Sequence, residues 1–403
     1  MQALEDIRII DFSHVLAAPF STMILGDLGA EVIKIEPPFG DDSREFGPFI
    51  KEKEGDNKQS GYFISINRNK KSLSVDLKTE EGKEIVEDLI STADVVIENF
   101  RTSTMKKLGF SYEDVKNIKN DIIYCSISGF GHDALPEYEN KPAYDLVAQA
   151  YSGLMSITGT EDGQPVRVGS SIGDIAAGHQ AAIGILGALN YKTRTGEGQY
   201  IDISMVDGLV YILENAIARY TMGNEIPSPL GGAHPSIVPF QLFKTKDDWL
   251  VTPIGNNKLW KRFCEAIGKE KLINHPKFKT NSLRNENKKE LIPMLKEKMK
   301  QKTTQEWMKI FEKYEVPYSP INTLDKVVED ENINYRDMIV EFEQPKVGKV
   351  KTAGTPFHMS KTPGEVRSHA PLLGENTDDI LKNILNFDEQ KIDNLKNEGV
   401  INS

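Results

Sequence analysis

Residues 7–36 read IRIIDFSHVLAAPFSTMILGDLGAEVIKIE, a stretch that decides the fold class. Its ends, IRIID (7–11) and EVIKIE (31–36), are short and rich in β-branched residues, as strands are. The apolar run between them, APFSTMILGDLG, closes on glycine as helices do. Strand, helix and strand in so short a span make a βαβ unit with parallel strands. The alternation continues outward from it. SLSVDL (72–77), DVVIE (94–98), DIIYCSI (121–127) and GQYIDISM (198–205) read as further strands. TEEGKEIVEDLISTA, with Thr79 as cap, and SYEDVKNIK, with Ser111 as cap, read as helices between them. The class is therefore α/β, with a parallel sheet covered on both faces.

At 403 residues the chain exceeds one ordinary domain, so two lobes are expected. Hydrophobic content of 39% beside 27% charged residues is that of a globular protein with a sizeable core. A net charge of −11 argues against a general nucleic-acid binder. Cys125 and Cys264 read as small buried hydrophobes, not as a disulfide or metal framework. The N-terminus carries acids and no long apolar run, so no signal peptide is read there. No stretch approaches ~18 uninterrupted apolar residues, so no membrane span is expected and the cytoplasm is the default location.

After residue 205 a long apolar helix, VDGLVYILENAIARYTMG, is expected. The sequence then changes character. QLFKTKDDWLVTPIG reads as a hairpin turning at Asp247 and Asp248, followed by helical NNKLWKRFCEAIG, NSLRNENKKELIPMLKEKMKQK and TTQEWMKIFEKYEV. A second hairpin, MIVEFEQPKVGKVKTAG, and two tail helices close the chain. The smaller lobe reads as an insertion: 1–224 with 330–403 form the large domain and 225–329 the small one.

Residues 165–190, PVRVGSSIGDIAAGHQAAIGILGALN, combine a small-residue lead-in, one acid and a helix apolar around most of its circumference. Such a helix should lie inside the protein. Asp174 then stands at its start, either as an ordinary N-cap or, with flexible backbone admitting a ligand, as a nucleophile. His14 follows the first strand, at the sheet edge where open α/β folds bind ligands. Lys34, Lys70, Lys71, Lys78, Arg101 and Lys107 lie in or after strands and together could neutralise phosphates. No G-x-G-x-x-G follows the first strand and no G-x-x-x-x-G-K-[ST] occurs, so nicotinamide and ATP readings lose their support. No G-x-S-x-G is read, so serine-hydrolase chemistry is given no anchor, and the scattered histidines are read as offering no metal site.

Longer motifs carry more. DFSHVLAAPFSTMILGDLGAEVIKIEPPFGDDSR, INRNKKSLSVDLKTEEG, VIENFRTSTMKKLGF, IYCSISGFG, AYDLVAQAYSGLM, PVRVGSSIGD, AHPSIVPFQLFKTKDDWLV, VPYSPIN and APLLGENT run nearly end to end. In these the chain resembles the class III CoA-transferases of the CaiB/BaiF type. The resemblance implies a Rossmann-like large lobe built from both chain ends, a smaller α+β lobe and a homodimer of interlocked rings. It implies Asp174 as covalent nucleophile, and CoA contacts at Leu16, Ala17, Val75 to Lys78, Asn99, Phe100, Arg101, Lys107, Ala143, Tyr144 and Asp145. The acid substrate is assigned to His14, Gly231, Gly232 and His234, which act on small dicarboxylates with succinyl-CoA or acetyl-CoA as donor. No tightly bound cofactor and no nucleic-acid or membrane partner is implied.

The chain also departs from the family pattern. Pro37 and Pro142 replace cations of oxalate-converting relatives, Leu16 replaces a glutamine, and the glycine-rich flap is shortened to GGAHPS. Tyr144 stands where the α-methylacyl-CoA racemases, the alternative branch, carry a histidine. A non-catalytic CoA-binding homologue is the other alternative, and the intact Asp174 argues against it.

Overall fold

Six parallel strands form the main sheet: β1 (Arg8–Asp11), β2 (Glu31–Glu36), β3 (Lys70–Val75), β4 (Val95–Glu98), β5 (Ile123–Ser128) and β6 (Tyr200–Ser204). A computed structural model describing residues 1–402 places them in the order β3-β2-β1-β4-β5-β6. This is the doubly wound order of dinucleotide-binding folds. A two-residue strand, Ile401–Asn402, adds antiparallel to β3. The sequence carried no sign of it.

Alternate residues of each strand face opposite layers, as the pleat requires. Ile9, Val32, Ile97 and Cys125 pack beneath α1 (Ala17–Asp27) and later helices. Ile10, Ile33, Leu73 and Val96 pack against α2 (Glu80–Ser91) and α3 (Tyr112–Ile118). Both of these helices begin as their caps foretell: Thr79 Oγ1 accepts the Gly82 N–H at 3.0 Å, and Ser111 and Asp114 form a capping box. Each such cap contributes ~1 kcal/mol.

Beyond β5 come α4 (Asp145–Tyr151), α5 (Ile172–Thr195) and α6 (Met205–Tyr211). The expectation that α5 is enclosed needs correction. Ala177, Ala181, Ala182, Ile185 and Ala188 are buried, whereas Ile183 is 68% exposed and Leu186 36% exposed. Its small-residue face meets α1 and the sheet; its outer face has no partner among the described residues. α5 is long and apolar enough to cross a membrane by length and composition alone, a property that the core helix of a globular protein shares. The expected long helix after β6 is broken too, since Glu214 adopts φ 55° between α6 and a second helix, Asn215–Thr221.

The chain divides into two compact units. The first comprises 1–154, 167–218 and 331–403; the second comprises 155–166 and 219–330. The sequence reading left 155–166 in the large lobe. Its bonds draw it to the second unit instead: the Gly231 N–H donates to the Gly159 carbonyl at 3.0 Å, and Lys296 pairs with Glu161 at 3.1 Å. That unit is α+β, with strands Phe240–Lys244, Trp249–Pro253 and Ser319–Pro320 paired antiparallel. Helices pack around Trp260, Phe263, Leu291, Leu295, Trp307 and Phe311. The basic segment expected as one helix is two, Asn281–Glu286 and Lys288–Met299, parted at Asn287.

Candidate active site

The strand order reverses between β1 and β4, and such a switch point leaves a crevice at the carboxyl ends of the strands. Here the crevice is a cleft of about 390 Å³, walled by the loops after β1, β4 and β5, by segment 139–146 and by the start of α5. His14, Leu16, Ala17, Asn99, Phe100 and Arg101 come to it from the first two loops. Ala143, Tyr144, Asp145 and Asp174 complete the set of sequence-assigned residues that meet there.

Asp174 is not the helix cap. The helix begins at Ile172, Ser171 holds the cap position without a side-chain bond, and Asp174 lies in the first turn. Asp145 Oδ1 accepts the Gly173 N–H at 2.8 Å, while Gln149 Nε2 donates to Asp145 Oδ2 at 2.7 Å. Gln149 Oε1 in turn accepts the Val168 N–H at 2.9 Å, so α4 anchors the lead-in to α5. Asp174 itself is half-buried and, among the described residues, has no ion pair or hydrogen bond. Burial, and then the negative charge of Asp145, push its carboxyl up to about 7. Burial and the charges of Asp174, Asp41 and Asp145 likewise push the Tyr62 hydroxyl, also on the cleft wall, up to about 12.

The loop after β1 is gripped on both sides. Asn99 Oδ1 accepts the His14 N–H and Asn99 Nδ2 donates to the His14 carbonyl, both at 2.9 Å. The His14 ring stacks on Phe100 at 4.9 Å. Burial holds His14 below the usual imidazole value, with Asp41 opposing, so it is neutral at pH 7. Glu98 Oε2 accepts the Phe100 N–H at 2.7 Å beneath this stack, and burial pushes Glu98 up to about 7.

Of the cations read as phosphate ligands, two are consumed in the interior. Lys34 pairs with Asp41 at 2.8 Å and Lys70 with Asp11 at 3.2 Å, all with buried side chains. Lys71 lies at the amino-terminal end of β3, opposite the cleft edge, and pairs with Glu31 at 2.9 Å. Val75 is fully buried in the core, and Lys78 and Lys107 are exposed outside the cleft wall. Gly231, Gly232 and His234 belong to the second unit. The two glycines line a separate cavity of about 300 Å³, and His234 Nδ1 accepts the N–H groups of Ser236 and Ile237 at 3.1 Å.

Two cations of the cleft wall were missed in the sequence, Arg167 and Lys141. Lys141 stands one residue before Pro142, its ammonium 5.1–5.3 Å from the ring centres of Phe130, Tyr138 and Tyr151. Pro37 lines an adjoining cavity of about 420 Å³ that shares His14, Phe100 and Arg101 with the cleft. Residues 169–173, GSSIG, do spell G-x-S-x-G, contrary to the sequence reading. No strand precedes Ser171, however, so the strand–turn–helix elbow of serine hydrolases is absent.

Residues 4–377 match the family model described as CoA-transferase family III. The chain belongs to CoA-transferase family III. It is 41% identical over 403 residues to succinyl-CoA:glutarate CoA-transferase of Mus musculus, covering 100% of this chain and 91% of that protein. It is 38% identical to acetyl-CoA:oxalate CoA-transferase of Acetobacter aceti, covering 92% of this chain and 93% of that one. A CaiB/BaiF family protein from Brucella suis superposes with TM-score 0.84 at 34% identity, over 95% of this chain and 99% of that structure. As a family III CoA-transferase the protein takes CoA thioesters as substrates, and the cleft at the switch point is where the fold would receive one.

Proposed function

We propose that the cleft moves CoA from succinyl-CoA or acetyl-CoA to a small dicarboxylic acid, with Asp174 carrying the covalent intermediate. One observation carries this reading: Asp174 is an acid in the cleft wall with no counter-charge, its carboxyl pushed up to about 7. A carboxylate so poorly stabilised is a stronger nucleophile than one in water. Its anion attacks the thioester carbonyl, the C–S bond breaks, and an Asp174–acyl anhydride forms with CoA thiolate as leaving group. The thiolate attacks the Asp174 carbonyl, the donor acid leaves as its carboxylate, and Asp174 holds CoA as a thioester. The acceptor carboxylate reverses both steps, so no net proton is consumed or released. Backbone N–H groups of the lead-in to α5 support the developing oxyanion.

The acceptor class follows the relatives named for glutarate and oxalate. It also fits the cleft, where Arg167, donating to the Gly169 carbonyl, has no ion pair among the described residues and His14 offers an imidazole to a distal carboxylate. A buried second carboxylate without such partners would cost several kcal/mol. We further propose that the outer face of α5, with Ile183 and Leu186, is covered by a second copy in a homodimer.

The test is chromatographic. Purified protein with succinyl- or acetyl-CoA and a panel of acids should form new acyl-CoA fastest with glutarate, oxalate or succinate. Asp174→Ala should abolish transfer while the protein stays folded, and hydroxylamine during turnover should modify Asp174 alone, read by peptide mass spectrometry. If propionate is the best acceptor, the dicarboxylate reading fails and the transferase stands. A racemase would exchange the α-proton of a 2-methylacyl-CoA in deuterated water; no exchange is expected, since Tyr144 is 76% exposed and supplies no second base.

A further inference from the structure

Val15 is β-branched and sits at φ 62° in the cleft wall. That left-handed conformation is strained for such a side chain and persists only where the surroundings over-determine it. What surrounds it is a clamp on both sides of His14. On one side, Lys34 Nζ donates to the Ser13 carbonyl at 2.6 Å. On the other, Asp41 Oδ1 accepts the Val15 N–H at 3.2 Å. The two clamp residues pair with each other at 2.8 Å, and both are buried. Asp41 cannot swing away, because its Oδ1 also accepts from the Ser43 N–H at 2.8 Å and the Ser43 hydroxyl at 2.7 Å.

A buried ion pair is a poor device for stability alone, since an apolar pair of similar volume would serve as well. What this pair does that an apolar one could not is hold backbone polar groups. We infer that Asp41, backed by Lys34, is a positioning residue: it keeps Val15 in the left-handed conformation and thereby sets where His14 and Leu16 stand in the cleft. The turn at Val15 carries the chain from β1 into α1, whose first residues Leu16 and Ala17 are on the cleft wall. Without the clamp, residue 15 relaxes to negative φ and the two neighbouring side chains are redirected.

The kinetic part of the test rests on the CoA-transfer reading; the crystallographic part does not. Lys34→Met with Asp41→Leu removes both charges together. The charged neighbours keep partners, since Asp11 still has Lys70 and Glu36 still has Arg44 at 2.6 Å, while the Ser43 N–H and hydroxyl lose the Asp41 carboxylate. Near-UV circular dichroism and melting establish that this double variant is folded. Its transfer rate should fall on the order of 10–100-fold, the cost of misplacing groups by about an ångström. Adding Val15→Gly, which makes left-handed backbone free of strain, should recover most of that loss. A role confined to filling the interior would not respond to Val15→Gly. Full activity in the folded double variant, or no recovery on adding glycine, overturns the inference. A crystal structure of the double variant reads the same point without substrate: a negative φ at residue 15 supports it, and a φ still near that of the parent overturns it. Should the parent transfer no CoA to any acid, the proposed function falls, and the φ at residue 15 still decides the clamp.

Discussion

Asp174 is destabilised in its charged form, and this has consequences for both rate and stability. In its proposed role as nucleophile Asp174 must be the anion, so kcat/KM should rise with pH through about 7, the value burial and Asp145 give it. Asp145→Asn keeps an oxygen for the Gly173 N–H but removes a negative charge. The acidic limb of the pH–rate profile should therefore move to lower pH, yet stay above the ordinary carboxylate range because burial, the larger cause, is untouched. Stability carries the opposite sign. The folded value is raised above the unfolded one, 3.8, so between these values the folded state binds more protons and stability falls as pH rises. Asp174→Asn should consequently melt higher than the parent above pH 7, the gap closing as pH falls towards 4, checked by scanning calorimetry. That Asp174 and His14 reach the cleft wall was legible because a strand end and a helix start can be read locally. Lys34 and Lys70 were misread as ligands because nothing local reveals that Asp41 and Asp11 neutralise them inside the sheet. Arg167 stood in plain view in PVRVGSS, but only the folded cleft shows where it points its chain segment.

Helix packing sets how Asp174 meets the loop after β1. At Gly178 an added Cβ would lie 2.7 Å from the Ala17 carbonyl, so α5 and α1 approach backbone to backbone there. Gly178→Ala must push the helices apart at the start of α1, where Ala17 lines the cleft. It should cost ~1–3 kcal/mol in chemical denaturation and lower transfer activity as well. The βαβ alternation foretold most of the sheet strands and α2 and α3 with their caps, since period and cap chemistry act within a few residues. Breaks at Glu214 and Asn287 were not foretold, because an apolar or charged run continues through both and only tertiary packing selects the kink. The outward face of α5 was misjudged for the same reason: apolarity says that a face will be covered, not by which chain.

If α5 is covered by a second copy, light scattering on a sizing column should give twice the mass of one chain. Ile183→Glu, placing a charge on that face, should shift the protein to monomer. The large unit is assembled from both ends of the chain, and one buried cluster runs from Ile10 and Phe12 through Ile380, Leu381 and Leu395 to Ile401. The order of synthesis therefore works against this core. β1 leaves the ribosome roughly 390 residues before the strand that caps its sheet, a delay of roughly 20–80 s at cellular elongation rates of about 5–20 residues/s. For that interval the part of its apolar layer that Ile380, Leu381, Ile392, Leu395, Val400 and Ile401 cover is bare. Protease resistance of the large unit in a timed translation reaction should accordingly appear in one step once residue 401 has been synthesised and has emerged, while the contiguous 219–330 core becomes resistant earlier. A message cut short by even the last helix and strand would yield a degradation substrate, not a weakened enzyme.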